Sequence, residues 1–286
     1  MTSRVGLVIH PGRSVATELA DDIACWLEEG GHEVRVPATD VGLGGRFAGR
    51  GAGDDRFANG LDLAISVGGD GTMLRTVGLV ARSGVPILGI NGGHLGYLTA
   101  VEPAGWRGAL TRVLAGDFGI EERMTLDVTL LERGGTGGAP RIALNDAVVE
   151  KHEAGHTVRV AVAVSGQHAI SYAADGLIVS TPTGSTAYSL SAGGPVVSPD
   201  LHAIVVTPVA AHSLFGRPLV VGPREVVRVS VEAGEAVLGV DGVHCGRLST
   251  GDVVECRVGA HPARLVTLGE RDFWRVVTAK FGLGPR

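Results

Sequence analysis

Charge and aromatic residues are both scarce in this chain. Only 19% of its 286 residues are Asp, Glu, Lys or Arg, and 4% are Phe, Trp or Tyr. With a net charge of −5 there is no basic footprint for nucleic acid, so an anionic ligand has to be held by local groups and metal. Cysteine is nearly absent, and Cys25, Cys245 and Cys256 fall in no metal-binding or CxxC spacing. That usage fits reduced, partly buried thiols, not a disulfide framework. No uninterrupted apolar run reaches the length of a membrane span, and no charged leader with a long apolar core precedes the first strand. The expectation is a cytoplasmic protein with neither membrane nor nucleic acid as partner.

Glycine is what the chain has in excess: 45 residues of 286, about twice the usual share. The 44% apolar content argues for a packed globular chain. Up to residue 119 the texture alternates. Strands are expected at 5–9, 32–36, 61–67 and 86–90, and helices at 14–30, after Thr72 and at 102–116, with Trp106 and Leu110 as core. This order predicts a doubly wound parallel sheet, whose ligands sit outside the carboxyl ends of the strands, where Asp70 and Asn91 fall. Residues 41–60, rich in Gly, Arg and Asp, read as a mobile loop. From 120 to 270 short apolar or alternating runs follow one another, among them 121–131, 141–149, 157–164, 176–180, 236–240 and 253–258. These predict an all-β second domain. Helical spacing returns at 273–281, where Phe273, Trp274, Val277 and Phe281 form an apolar stripe.

The most informative segment is Gly68-Gly69-Asp70-Gly71-Thr72, placed directly after a strand and opening a helix. Glycines there let backbone N–H groups approach an anion in front of the positive end of the helix dipole. A single carboxylate beside a phosphate cradle suggests phosphoryl transfer to a hydroxyl. Asp70 fits either a general base or a holder of Mg²⁺. Gly68, Gly69 and Gly71 would supply the backbone, with no Walker-type Lys following them. Thr72 and Arg75 are the local polar candidates, and a solvated helix Arg is the alternative for Arg75. Downstream, residues 181–191 carry seven Ser, Thr or Tyr hydroxyls, as expected of a walled pocket lined with small polar groups. Asn145 and Asp146 close another strand-like run and offer an amide beside a carboxylate, suited to an adenine or a ribose diol. No histidine pair has the spacing of a transition-metal site.

These segments, with Asn91-Gly92-Gly93-His94-Leu95-Gly96-Tyr97-Leu98, resemble the signature of the NAD kinases over nearly the whole chain. The resemblance implies transfer of phosphate from ATP, or from polyphosphate, to the 2′-hydroxyl of the adenosine ribose of NAD. Asp70 would then be catalytic, with Mg²⁺ or another divalent cation arriving on the nucleotide instead of in a protein cage. The substrates would be bound by Gly68, Gly69, Gly71, Thr72, Arg75, Asn91, Asn145, Asp146, His156, Asp175, Thr186, Ala187, Tyr188 and Ser191. His94 would position the loop and His212 would be structural. The tail 271–286 would fold back on the first domain, and the enzyme would be a homodimer or homotetramer. The family pattern has Asn-Glu where this chain has Asn145-Asp146. The Gly-Gly-Asp-Gly-Thr turn is shared with lipid kinases, which would present an apolar cavity, and loosely with phosphofructokinases, which have a second doubly wound half. A sensor that binds NAD(P) without turnover would be expected to lack Asp70.

Overall fold

The computed structural model describes residues 2–43, 47, 51–92, 96–131, 137–153, 155–269 and 272–282. The chain divides into one unit of Met1–Glu122 with Ala263–Arg286 and a second of Arg123–Pro262.

The first unit opens β1 (Arg4–Ile9), α1 (Ser14–Glu29), β2 (Glu33–Pro37), β3 (Gly51–Ala52), α2 (Asp54–Phe57), β4 (Leu63–Gly68) and α3 (Asp70–Val80). It continues through β5 (Ile87–Asn91), α4 (Trp106–Leu114) and β6 (Gly119–Arg123). The second unit holds β7 (Leu126–Leu131), β8 (Arg141–Ala143), β9 (Asp146–Lys151), β10 (Val158–Val164), β11 (Gln167–Ala174) and β12 (Gly176–Ser180). After these come α5 (Tyr188–Ser191), β13 (Ile204–Val209), β14 (Leu219–Val221), β15 (Val227–Ala233), β16 (Ala236–Val240), β17 (Val243–Leu248) and β18 (Val253–Val258). The chain re-enters the first unit through β19 (Ala263–Thr267) and ends on α6 (Phe273–Phe281).

The sheet of the first unit runs β3-β2-β1-β4-β5-β19-β6. The central strands β1, β4 and β5 are near-continuous apolar runs without exposed positions beyond Arg4, as strands covered on both faces must be. Ala16, Ala20, Ile23, Ala24 and Leu27 of α1, and Trp106, Leu110 and Val113 of α4, close over them in one core with Val5, Leu7, Ile65 and Ile90. Strand order reverses between β1 and β4, and β4 there runs directly into the glycine turn and α3.

The second unit is a sandwich of two six-stranded sheets, ordered β11-β10-β15-β18-β7-β8 and β14-β13-β12-β9-β16-β17. Val128, Val160, Val229 and Val254 of one sheet share a core with Val149, Leu177, Val206 and Leu238 of the other. This is the alternating, antiparallel texture read from the sequence.

Four expectations change in detail. Residues 121–131 and 141–149, each read as one strand, are broken between β6 and β7 and between β8 and β9, and each break passes the chain to a different sheet. The apolar pattern runs on because both sides of each break are buried. Residues 41–60 are not wholly irregular: a 3₁₀ turn spans Ala38–Leu43, β3 pairs with β2, α2 follows, and Phe47 is buried. Strand β19, absent from the sequence reading, brings the chain back to the first unit before the tail does. Among the described residues of the tail only Val277 is fully buried, while Trp274 and Phe281 are 56% and 43% exposed. The side chain of Asp272 caps α6 by accepting from the Arg275 amide, and Gly282 at φ +62° ends the helix.

Candidate active site

In the first unit the site is built on the end of β4. Gly68 lies where a Cβ would overlap the Thr72 side chain, and a Cβ on Gly92 would come within 3.1 Å of the Gly68 Cα. Those two glycines are therefore demanded by the fold. Gly69 and Gly71 differ, because a Cβ on either would meet nothing within 4 Å. The fold does not require them to be glycine, and their face is open.

Asp70 is the first residue of α3. Its two carboxylate oxygens accept from the Tyr97 and Leu98 amides at 2.9 Å each. Gly96 lies so close that a Cβ there would run into the carboxylate. The loop 96–98 thus fixes the direction of this acid. Burial, then the nearby Asp70 charge, raise the pKa of Tyr97.

The remaining polar candidates of this unit are engaged internally. Thr72 is 4% exposed, its hydroxyl buried and without a protein hydrogen-bond partner, so it is not presented toward the open glycine face. Arg75 is not a freely solvated helix residue: only 29% of its side chain is exposed. Its guanidinium grips Asp40 at 2.6 and 2.8 Å and donates to the Ile9 carbonyl at 2.6 Å. Asp40, 1% exposed, also accepts from the Ile9 amide at 2.8 Å. The fork of Arg matches this carboxylate in the bidentate way, tying α3 to the carboxyl end of β1. Asn91 is buried and donates to Glu102 at 3.4 Å. His94 lies outside the described residues.

In the second unit Asn145 sits at the break between β8 and β9, and Asp146 opens β9 instead of ending a strand. What holds this corner is Asp241, whose carboxylate accepts from the amides of Leu144, Asn145 and Asp146 at 2.7, 2.8 and 3.1 Å. Asp241 (φ +48°) and Gly242 (φ +77°) form the tight turn between β16 and β17, a conformation that Asp-Gly adopts readily. The Asn145 carbonyl accepts from the Thr181 amide, and a Cβ on Gly184 would strike the Asn145 backbone. Asp146 is 6% exposed; burial and then the neighbouring Asp241 push its carboxyl up to about 7. Burial raises Asp241 as well, against the lowering effect of its three amide donors.

Pairing of β9 with β12 sets Asp146 opposite Ser180 and Glu150 opposite Gly176. Period-two alternation puts Asp146 and Glu150 on one face, while Ala147 and Val149 enter the core. The Asp175 carboxylate bonds Lys151 Nζ at 2.7 Å, and the Lys151 amide donates to the Asp175 carbonyl at 2.8 Å. Burial first, then the nearby carboxylates of Glu150, Asp175 and Asp146, raise the pKa of the Tyr188 hydroxyl.

The hydroxyl-rich segment divides into two sets. Thr181 Oγ1 donates to the Leu144 carbonyl at 2.5 Å, Ser185 bonds the Pro182 carbonyl and the Val197 amide, and Ser189 pairs with Thr207 at 2.9 Å. All three are buried and serve the fold. Thr186, Ala187, Tyr188 and Ser191 stay at least partly exposed. The structure therefore groups Asn145, Asp146, Asp175 and Tyr188, while the His156 side chain, 76% exposed and 3.9 Å from Glu153, lines a cleft with Lys151, the partner of Asp175. The His212 amide donates to the Ala173 carbonyl at 2.7 Å, next to Asp175. Sequence reading missed Asp40, Glu150, Lys151 and Asp241, and gave Tyr97 no role although it stands in the Asn91–Leu98 segment; of the four, only Asp241 carried a signal, the Asp-Gly dipeptide between two strand-like runs. Among the described residues no cluster of three or more His, Cys, Asp or Glu side chains is arranged to hold a metal ion.

Residues 5–118 match the ATP-NAD kinase N-terminal domain and residues 144–268 the ATP-NAD kinase C-terminal domain. The chain is 43% identical over 284 residues to an NAD kinase of Heliobacterium modesticaldum, covering 98% of this chain and 99% of that protein. To the NAD kinase of Symbiobacterium thermophilum it is 42% identical, covering 97% and 98%. Among solved structures, yeast NADH kinase complexed with NADH superposes with a TM-score of 0.90 over 100% of this chain and 89% of that one; at 23% identity the likeness is one of fold. An NAD kinase from Archaeoglobus fulgidus in complex with ATP gives 0.73 at 25% identity, with 100% of both chains covered. With both domains matched and relatives of this identity spanning nearly its whole length, the chain belongs to the NAD kinase family, phosphotransferases that convert NAD to NADP.

Proposed function

We propose that this NAD kinase moves the γ-phosphate of ATP to the 2′-hydroxyl of the adenosine ribose of NAD, with Asp70 as general base. The observation that carries this reading is the Asp70 carboxylate at the start of α3, aimed by two amides, beside glycines whose open face the fold does not need. A ribose hydroxyl is a poor nucleophile; Asp70 accepts its proton as the new O–P bond forms and the bond to the ADP oxygen breaks. Backbone N–H groups at the α3 end receive charge on the phosphate chain. A divalent cation arriving on the nucleotide would neutralise charge on the phosphates.

Asn145, Asp146 and Asp175 take the dinucleotide. The amide beside an acid offers donor and acceptor to the adenosine, and Tyr188 gives an aromatic face to a base. Gly68, Gly69 and Gly71 accept the phosphates; Thr186, Ala187 and Ser191 border the dinucleotide, and His156 contacts it. Arg75 and Asn91 act from behind by hydrogen bonding, and Thr72 by packing. A lipid acceptor is disfavoured by the ring of carboxylates at Tyr188, which gives an apolar chain nothing to bury against. The working enzyme is a cytoplasmic homodimer or homotetramer. No helix among the described residues is long and apolar enough to cross a membrane. Incubation with Mg-ATP and NAD, then with polyphosphate in place of ATP, each followed by assay for NADP, tests activity and donor together. Absence of NADP with both donors would refute the reading.

A further inference from the structure

The chain contains just two lysines, Lys151 and Lys280, among its 25 Lys and Arg residues. Lys151 is engaged with Asp175. Lys280 lies in the last turn of α6, on its own exposed surface, yet its Nζ stands 3.9 Å from the centroid of the Tyr97 ring. Tyr97 is a member of the loop that grips Asp70: its amide and that of Leu98 bond the two carboxylate oxygens, and Gly96 backs the carboxylate directly. The C-terminal helix thus touches a residue that bonds the proposed base directly. Every contact in this chain of three lies within the first unit.

We infer that Lys280 is a positioning residue for phosphoryl transfer, a cation seated on the Tyr97 ring that holds loop 96–98, and through it the Asp70 carboxylate, in the direction needed to take the ribose proton. The inference rests on the proposed role of Asp70. A cation over an aromatic face is attracted by the ring quadrupole, and Arg serves as well as Lys in that role, whereas Gln does not. The ring, not the hydroxyl, is what the ammonium needs. Misdirection of a base lowers the rate of the chemical step without touching the groups that bind substrate.

The test uses the full chain and the variants K280Q, K280R, Y97F and Y97L. K280Q and Y97L should each lower kcat by about three- to tenfold, the range a partly exposed cation–π contact supplies, with KM for NAD and ATP unchanged. K280R and Y97F should retain kcat, and K280Q/Y97L should be no worse than either single change, because both remove one interaction. A second readout needs no turnover. Reductive ¹³C-methylation labels the two lysines and the amino terminus, and ring current should displace the Lys280 signal upfield. That displacement should vanish in Y97L and persist in Y97F. Additive losses, or an undisplaced Lys280 signal, would overturn the inference. So would a raised KM for ATP at full kcat in K280Q, which would make Lys280 a phosphate contact. D70N measured alongside separates the two readings: a deep loss in D70N with normal K280Q defeats only the Lys280 inference, whereas near-normal D70N defeats the general base.

Discussion

Asp70→Asn is a sharper perturbation in this structure than an isosteric change usually is. The carboxylate gives one oxygen to the Tyr97 amide and the other to the Leu98 amide, both at 2.9 Å. An asparagine has one carbonyl oxygen, so it can satisfy one of these donors while its NH₂ confronts the other. An orphaned, part-buried amide costs about 1–3 kcal/mol, and the remaining bond loses its charge assistance. For a domain of this size that corresponds to a fall in Tm of about 2–10 °C. The proton acceptor is lost at the same time, which predicts a fall in kcat of about 10²–10⁴. Because the proposed NAD contacts Asn145, Asp146 and Asp175 are untouched, NAD affinity should change little. The assay is kcat across a magnesium series, with NAD affinity by calorimetry and Tm by scanning calorimetry on the same preparation. If activity recovers as Mg²⁺ is raised, with weak apparent nucleotide affinity, Asp70 holds metal and does not serve as base. Turnover near that of the unmodified enzyme would refute both roles, and an unchanged Tm would refute the two-amide grip.

Three further outcomes follow from the geometry. Asp146 has its carboxyl raised to about 7 from 3.8, so its contribution to stability is present below about pH 4 and lost as pH rises through 7. D146N should remove that slope, leaving the variant more stable than the unmodified protein above pH 7, by up to about 4 kcal/mol, when urea midpoints are compared from pH 4 to 8. Gly69→Ala should leave Tm nearly unchanged, since its Cβ meets nothing within 4 Å, but should raise KM for ATP; a variant with ordinary KM would show that the open glycine face is not where phosphate binds. Arg75→Ala should cost about 3–5 kcal/mol in denaturant unfolding, because it strands the buried Asp40 carboxylate. The double change R75A/D40A should recover part of that loss, and an equal loss in single and double variants would contradict the internal ion pair.

The pieces legible in the sequence were those whose local pattern and tertiary role agree. Strands β12, β16 and β18 were read at their observed bounds because each is a short apolar or alternating run between turn residues. The glycine turn could be placed at the end of β4 for the same reason. The pairing of Arg75 with Asp40 was not legible because neither spacing nor composition reveals that Asp40, a residue in an apparently formless stretch, folds under it. Glu150 and Lys151 look like the solvated end of a strand, and only the pairing of β9 with β12 turns them toward Asp175 and Tyr188. Thr181, Ser185 and Ser189 advertised polarity that the fold consumes internally, a distinction composition alone does not make.

Strand β6 leads out of the first unit and β19 leads back, and the two are neighbours in its sheet. Glu122 stands by Arg264, with Nε 3.9 Å from the carboxylate, and Gly119 stands by Thr267, so the pair runs antiparallel. Residues 122 and 264 could therefore be the flanks of an ordinary hairpin. The 123–262 sandwich thus stands, along the chain, where a turn between β6 and β19 would otherwise be, the kind of site where an insertion leaves the surrounding backbone undisturbed. A chain joining 122 to 263 through a two-residue Asn-Gly turn should therefore keep the sheet of the first unit.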